Sequence, residues 1–392
     1  MKKNCLLIFL ICSCARYVYI PPTREIPTVK IAILSGAKEI RISSPDPYLL
    51  RSGSKGKYES SFKEWTLLDD KLVDREENKL IRDISFPLVV IPKETFFLNG
   101  REYRGTLSIH KTSDGYLAVN EVNLEDYLKG VVACEIGGLS KNRIEAIKAQ
   151  AVAARTYAIS NLGKHKSRGY DLESSSQDQV YRGVEAERKL TNKACEKTSG
   201  MVLMYKGKTI NAMYHSTCGG KTEDIHFRFT NKKVPYLTSV RDKKRRFFRT
   251  SRPFCFKSPW YVWRRLWTLK TFNEILTNGI SHFFNIHPDS VGTIRTIKIE
   301  KRSRTGRVLE LTIKTGSDEY EMYGSDMRRL FSLPSTSFEI IKKSNYVKIR
   351  GKGYGHGIGM CQWGAIGMAE SGYKYQNILR HYYKGAKVKK IY

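Results

Sequence analysis

The chain has 392 residues, 41% of them hydrophobic, with five Trp and 23 Tyr. That length and apolar content exclude a disordered segment and a small disulfide scaffold, and leave room for two ordinary domains. The formal net charge of +31 calls for a polyanionic neighbour, either nucleic acid or an anionic surface.

The first residues read as an export leader. Lys2-Lys3 precede the apolar run Leu6-Leu7-Ile8-Phe9-Leu10-Ile11, which is too short to span a bilayer. Ile11-Cys12-Ser13-Cys14 has the form of a bacterial lipoprotein cleavage site with Cys14 as the lipidated residue. A plain signal peptide cut near Arg16 and an uncleaved anchor are the alternatives. The expected location is the cell envelope, as a membrane-anchored lipoprotein facing the wall or periplasm. Export sets nucleic acid aside as a partner, despite Lys243-Lys244-Arg245-Arg246 with Phe247 and Phe248 beside it. Residues 1–14 are thus leader, and 15–28, with Pro21-Pro22, a tether. Of eight cysteines, Cys5 and Cys12 leave with the leader and Cys14 carries lipid. Cys134, Cys195, Cys218, Cys255 and Cys361 remain, an odd set from which no disulfide pairing can be read.

Residues 29–100 form a β-rich region, with strand candidates at 29–34, 39–42 and 86–91 separated by Gly, Ser, Pro and charged stretches. The charged segment 71–83 reads as a loop. From residue 101 onward a second region runs to 392. It opens with a hairpin, 103–109 and 116–120, turning at Asp114-Gly115.

That hairpin feeds the stretch 123–162, around which the chain is organised. The run Val131-Val132-Ala133-Cys134 reads as a short strand delivering one acid, Glu135, to the mouth of a helix. Ser140 is placed to cap the helix, with Leu139 and Ile144 as a hydrophobic staple. Ala146, Ala149, Ala151, Ala153, Ala154 and Ala158 put small residues on every side of it, which suits close packing on several neighbours, and Gly163 is a natural stop. An acid beside an apolar run and a buried helix has its neutral form favoured by desolvation.

Val122-Asn123-Leu124-Glu125-Asp126-Tyr127-Leu128-Lys129-Gly130-Val131-Val132, then Glu135, then the run from Glu145 through Gln150 and Arg155 to Ala158, resemble the signature of the stage II sporulation protein D family, also called the amidase-enhancer family. In that family the matching Glu is the catalytic acid of a lytic transglycosylase that cuts peptidoglycan glycan strands, best known for strands stripped of their stem peptides. The resemblance implies that role for Glu135, peptidoglycan glycan as substrate, and a cell-wall amidase as a partner.

Further along, a helix is expected over 185–198, closed by Gly200, then a hairpin of 201–205 and 209–214 around Lys206-Gly207. It delivers His215-Ser216-Thr217-Cys218-Gly219-Gly220-Lys221-Thr222-Glu223, which again matches a family motif placed near the catalytic Glu. His215, Cys218 and His226, with Cys255, are zinc-ligand types. Their spacing completes no standard pattern, so they stand as candidates for a structural zinc that the reaction does not require. Trp263 and Trp267 sit four apart and are expected to pack inward. Residues 271–276 and a segment starting near Ser325 read as helices, and 291–300 with 308–314 as paired strands. These are scaffold.

Gly351-Lys352-Gly353-Tyr354-Gly355-His356-Gly357-Ile358-Gly359-Met360-Cys361-Gln362-Trp363-Gly364-Ala365 places glycine at every second position as far as Gly359. A dinucleotide loop needs a different spacing and a βαβ unit. The segment instead matches the family's C-terminal motif, where a Ser commonly stands at the position of Cys361. Cys361 as a nucleophile paired with His356 is a secondary chemistry.

The fold expected is α+β: a mixed sheet with the Ala-rich buried helix after the catalytic strand, preceded by the β-rich N-terminal region. Hydrolytic glycosidases need two carboxylates, and the sequence offers one well-placed acid. A lytic transglycosylase manages with one, because the sugar's own C6 hydroxyl closes a 1,6-anhydro ring. Glu135 is then acid and base in turn, with Gln150, Arg155, His215, Ser216, Thr217 and His356 as substrate contacts by motif match. The rival reading is a glycan-binding module that activates a wall amidase without cutting.

Overall fold

The computed structural model describes residues 25–53, 57–60, 64–74, 80–81, 84–137, 140–230, 232–243, 252–316 and 318–392, and its fold is α+β. The leader, Cys14, most of the tether, Leu139 and the basic residues 244–246 with Phe247 and Phe248 lie outside the described residues.

The N-terminal half is built on two sheets. One has seven strands in the order Leu172–Glu173, Thr28–Ala37, Gly115–Asn123, Thr106–Thr112, Leu88–Ile91, Tyr48–Ser52 and Lys57–Ser60; the other has six, running from Arg101–Arg104 to Leu80–Ile81. Alternation in the sequence decides which side chains go inside. In Glu39–Ser43 only Ile40 and Ile42 are buried, and in Thr106–Thr112 only Leu107 and Ile109. Thr28–Ala37 pairs antiparallel with Gly115–Asn123, so one sheet runs across residue 100. The segment read as a loop over 71–83 contains the strands Lys71–Asp74 and Leu80–Ile81.

Gly115–Asn123 leads directly into helix α1, Leu124–Ile136. Here the structure corrects the sequence reading: the Val131-Val132 run is helical, and Glu135 stands in the last turn of a helix rather than after a strand. Asn123 caps α1, its side-chain oxygen accepting the Glu125 N–H at 2.9 Å. Buried Leu124, Tyr127, Leu128, Val131 and Val132 recur at helical spacing. Glu135, four residues beyond Val131, continues that buried stripe. Gly137 ends the helix at φ 79°.

Helix α2, Ile144–Ser160, follows a single 3-10 turn at Lys141–Arg143, and Ser140 makes no capping bond. All six of its predicted alanines are fully buried. It packs against α1, helix α3 (Lys189–Glu196) and the strand Met201–Tyr205, which is why small residues occupy every face. The helix expected over 185–198 is shorter, beginning at Lys189 after a 3-10 turn at Val184–Ala186.

A second core lies between residues 260 and 351. Helices α4 (Leu269–Phe284) and α5 (Gly324–Leu330) cover two three-stranded sheets around Phe272, Leu276, Leu311, Ile313, Phe331 and Ile349. Trp263 is buried in it and Trp267 packs against it, both on one face of the strand Trp263–Thr268. The chain then returns to the first core through the glycine-rich segment and helices α6 (Gln362–Glu370) and α7 (Tyr375–Tyr382), and ends as the strand Lys387–Lys390 beside Met201–Met204. No described helix is long and apolar enough to cross a membrane.

Candidate active site

Three segments far apart in sequence meet at the carboxyl group of Glu135. The end of α1 supplies the acid. The loop after α2 supplies the Val180 N–H, which donates to Glu135 Oε1 at 3.1 Å. The first residue of α6 supplies Gln362, whose Nε2 donates to Oε2 at 3.3 Å. The Tyr214 hydroxyl also reaches the carboxyl and accepts a hydrogen bond from Gln179 Nε2 at 2.9 Å, while Gln179 Oε1 accepts the Tyr127 hydroxyl at 3.3 Å. This chain of donors fixes the orientation of the acid from behind.

Desolvation raises the Glu135 pKa above the ordinary carboxyl range, and the donors from Val180, Gln362 and Tyr214 only partly offset it. The side chain is nonetheless half-buried rather than sealed. A protonated carboxyl at an accessible surface is what a general acid requires.

The candidate contacts divide sharply. Gln150, fully buried on α2, accepts Gln362 Nε2 at 3.4 Å, and its own Nε2 has no partner. His356 is half-buried. Its Nδ1 accepts the Ile358 N–H at 3.0 Å, so Nε2 carries the proton and donates to the Tyr214 carbonyl at 2.9 Å. His215 faces it, ring centroids 5.5 Å apart, and holds the Ile358 carbonyl through Nδ1 at 3.1 Å. Burial, with Arg307 nearby, pushes His215 down to about 3, so both rings are neutral at physiological pH. Ser216 is half-buried beside them.

Two residues are turned away from this role. Arg155 is fully buried, and its guanidinium grips Glu125 with two 2.7 Å bonds while Nη1 holds the Met201 carbonyl at 3.1 Å. Burial favours a neutral Glu125, but the Arg155 bond reverses that and holds the carboxylate below its ordinary range. Arg155 is a structural ion pair, not a sugar contact. Thr217 is likewise fully buried, its hydroxyl paired with Ser258 at 2.7 Å. The Cys361–His356 pairing does not form either. Cys361 is fully buried and its sulfur accepts the Cys218 and Gly364 N–H groups, while both His356 nitrogens are taken by backbone.

His215, Cys218 and His226 do not converge as metal ligands. His215 is turned to Ile358 and His226 lies against the Phe227 ring at 4.0 Å; Cys218 faces other cysteines instead. Sequence reasoning missed Tyr214, Gln179 and Gln362. Gln362 lies within the C-terminal motif although no role is read for it there, whereas Gln179 and Tyr214 carry no local sequence signal.

Comparison with known proteins decides the family. The family model described as Stage II sporulation protein matches residues 112–205, the segment carrying α1 and α2, and a second model, described as Domain of unknown function (DUF8618), matches residues 223–359. The chain is 31% identical to stage II sporulation protein D of Bacillus amyloliquefaciens, over 72% of this chain and 78% of that protein. The chain belongs to the stage II sporulation protein D family. An uncharacterised protein of Brachyspira hyodysenteriae is 34% identical over 77% of this chain and 76% of its own length. The amidase enhancer of Bacillus subtilis is 31% identical over 74% of this chain, which covers 44% of that longer protein. The family model itself covers the Glu135 region.

Proposed function

We propose that this protein is a peptidoglycan lytic transglycosylase in which Glu135 is the sole acid–base group. Family membership supports a role at the cell wall, and the observation that carries the finer reading is the isolation of Glu135. Among the described residues, the network reaching it through Gln362, Gln150, Tyr214, Gln179 and Tyr127 contains no second carboxylate. Asp178 shares Tyr157 as a neighbour with Glu135. Its side chain is fully buried, with Oδ1 held by Tyr157 and Lys164 and Oδ2 by His165 and the Glu173 N–H, so both oxygens are engaged away from Glu135.

One acid suffices for an intramolecular displacement. Neutral Glu135 donates its proton to the glycosidic oxygen between N-acetylmuramic acid and N-acetylglucosamine as the bond to the anomeric carbon breaks. The C6 hydroxyl of the same sugar closes on that carbon, and its proton passes to the Glu135 carboxylate. The acid is regenerated and no water is consumed. Val180 and Gln362 hold the carboxylate during its ionised interval, and the neutral His356 and Ser216 line the approach. Envelope location through a lipid on Cys14 fits the same reading and brings the strongly basic chain beside anionic lipid and wall polymer.

Denuded glycan strands incubated with the wild type are expected to be cut, and Glu135→Gln to lose ~100-fold or more of the rate. The name of the amidase enhancer supports a second reading, a glycan-binding activator. If Glu135→Gln stimulates a wall amidase as well as the wild type does, and neither cuts glycan, the activator reading replaces the enzyme.

A further inference from the structure

Cys218, Asp242, Cys255 and Cys361 come from four separate segments, and one ligand atom from each lies within 4.8 Å of all the others. Cys255, Cys361 and Asp242 are fully buried and Cys218 is 4% exposed. We propose that these four residues are the ligands of a structural zinc ion that locks together the segments behind Glu135.

The donor set is the first argument. Three sulfurs and one carboxylate oxygen make a closed four-ligand site of the soft kind that favours zinc over magnesium or calcium. The spacing agrees: zinc–sulfur bonds of ~2.3 Å in a tetrahedron put two sulfurs ~3.8 Å apart, and Cys218 and Cys255 Sγ are 3.6 Å apart.

Charge is the second. Among the described residues Asp242 has no cationic partner, although it is fully buried. Its Oδ1 accepts the Tyr382 hydroxyl at 2.5 Å and its Oδ2 the Cys255 N–H at 2.9 Å. A buried carboxylate is ordinarily paired or metal-bound, and a divalent ion among the thiols supplies the missing charge. A disulfide does not, since it consumes two thiols and leaves the third beside the carboxylate.

The surrounding hydrogen bonds are the third. Cys361 caps the N-terminus of α6, accepting the Gly364 N–H at 3.3 Å and the Cys218 N–H at 3.2 Å, and Cys218 Sγ accepts the Gly220 N–H at 3.4 Å. Backbone N–H groups aimed at sulfur orient thiolate ligands and offset their charge, and buried Arg307 adds positive charge through its bond to the Cys218 carbonyl at 3.4 Å. The ion would therefore tie the His215–Gly220 loop and the 3-10 turn Phe254–Lys257 to the start of α6. Gln362, the residue that holds Glu135, follows Cys361 directly.

The test is metal content and spectroscopy on the full chain. Stoichiometric zinc retained through dialysis is expected in the wild type, and cobalt exchange should give thiolate-to-cobalt charge-transfer bands with tetrahedral visible bands. Cys255→Ser and Cys361→Ser should lose both signals while Cys134→Ser and Cys195→Ser keep them, and Tyr382→Phe should weaken metal affinity ~10–100-fold. If the Ser variants fail to fold, the wild-type cobalt spectrum still decides. A wild type without metal after growth in zinc, a cobalt spectrum lacking sulfur ligation, or a Cys218–Cys255 disulfide found by peptide mapping overturns the site.

Discussion

A carboxyl on the buried stripe of a helix, as Glu135 is, keeps its proton at a pH where a solvated Glu has lost it. The rate of glycan cleavage should therefore fall on the alkaline side only above the ordinary carboxyl range. Removing a donor that favours the ionised form raises the pKa further, so Gln362→Ala should move that alkaline limb to higher pH while lowering kcat more than it raises KM. A rate profile across pH checks both. The same shift has a consequence for stability. Because the folded state disfavours ionised Glu135, the native protein is penalised at pH values above the folded pKa, and the penalty vanishes below the ordinary Glu value of ~4.3, where both states are protonated. Glu135→Gln should thus be at least as stable as the wild type to denaturant at neutral pH, with the difference closing as pH falls. A variant that loses activity while keeping or gaining stability is the signature of a functional acid. Glu135 was singled out in the sequence through its motif; its partners Tyr214 and Gln179 were not, since hydrogen bonds across tens of residues leave no periodicity.

At the scale of elements, α1 carries the clearest lesson. Val131-Val132 is β-branched and reads locally as strand, yet Leu124, Tyr127, Leu128, Val131 and Val132 recur at helical spacing and Asn123 stands at the cap. The longer period prevails over the local propensity. The Ala-rich α2 was legible because small residues on every face leave only burial as an explanation. Arg155 was misread for a reason of the same kind: a motif residue close to Glu135 in sequence is buried in space by the helix packing of α1 on α2. Its ion pair with Glu125 has the Tyr392 hydroxyl at 2.5 Å and the Gly200 N–H at 3.2 Å on the same carboxylate oxygen. Arg155→Met should destabilise the fold by ~3–5 kcal/mol in denaturant titration, because it strands a buried carboxylate. The double variant Arg155→Met with Glu125→Gln should recover part of that loss. A substrate-binding Arg would instead raise KM with stability intact.

Across the whole molecule, topology was the least legible level. The strand Thr28–Ala37 pairs with Gly115–Asn123 on one side and Leu172–Glu173 on the other, and the site gathers residues 135, 150, 179, 214 and 362 from segments far apart in the chain. No local pattern announces such long-range pairing. Charge, by contrast, is read directly from the chain: with a net +31, adsorption to anionic glycan or lipid should weaken steeply as salt rises from ~0.05 to ~0.5 M, because screening shortens the reach of exposed charge. Co-sedimentation with purified wall material checks this, and salt-independent binding would place the affinity in contacts other than the charged surface.

The central claim is that a single acid cleaves glycan without water. Digestion of denuded strands in ¹⁸O-labelled water, followed by mass spectrometry of the new termini, tests it most directly. The account predicts 1,6-anhydro ends free of label from the wild type and no new ends from Glu135→Gln; reducing ends carrying ¹⁸O would contradict it and require a second catalytic group that activates water.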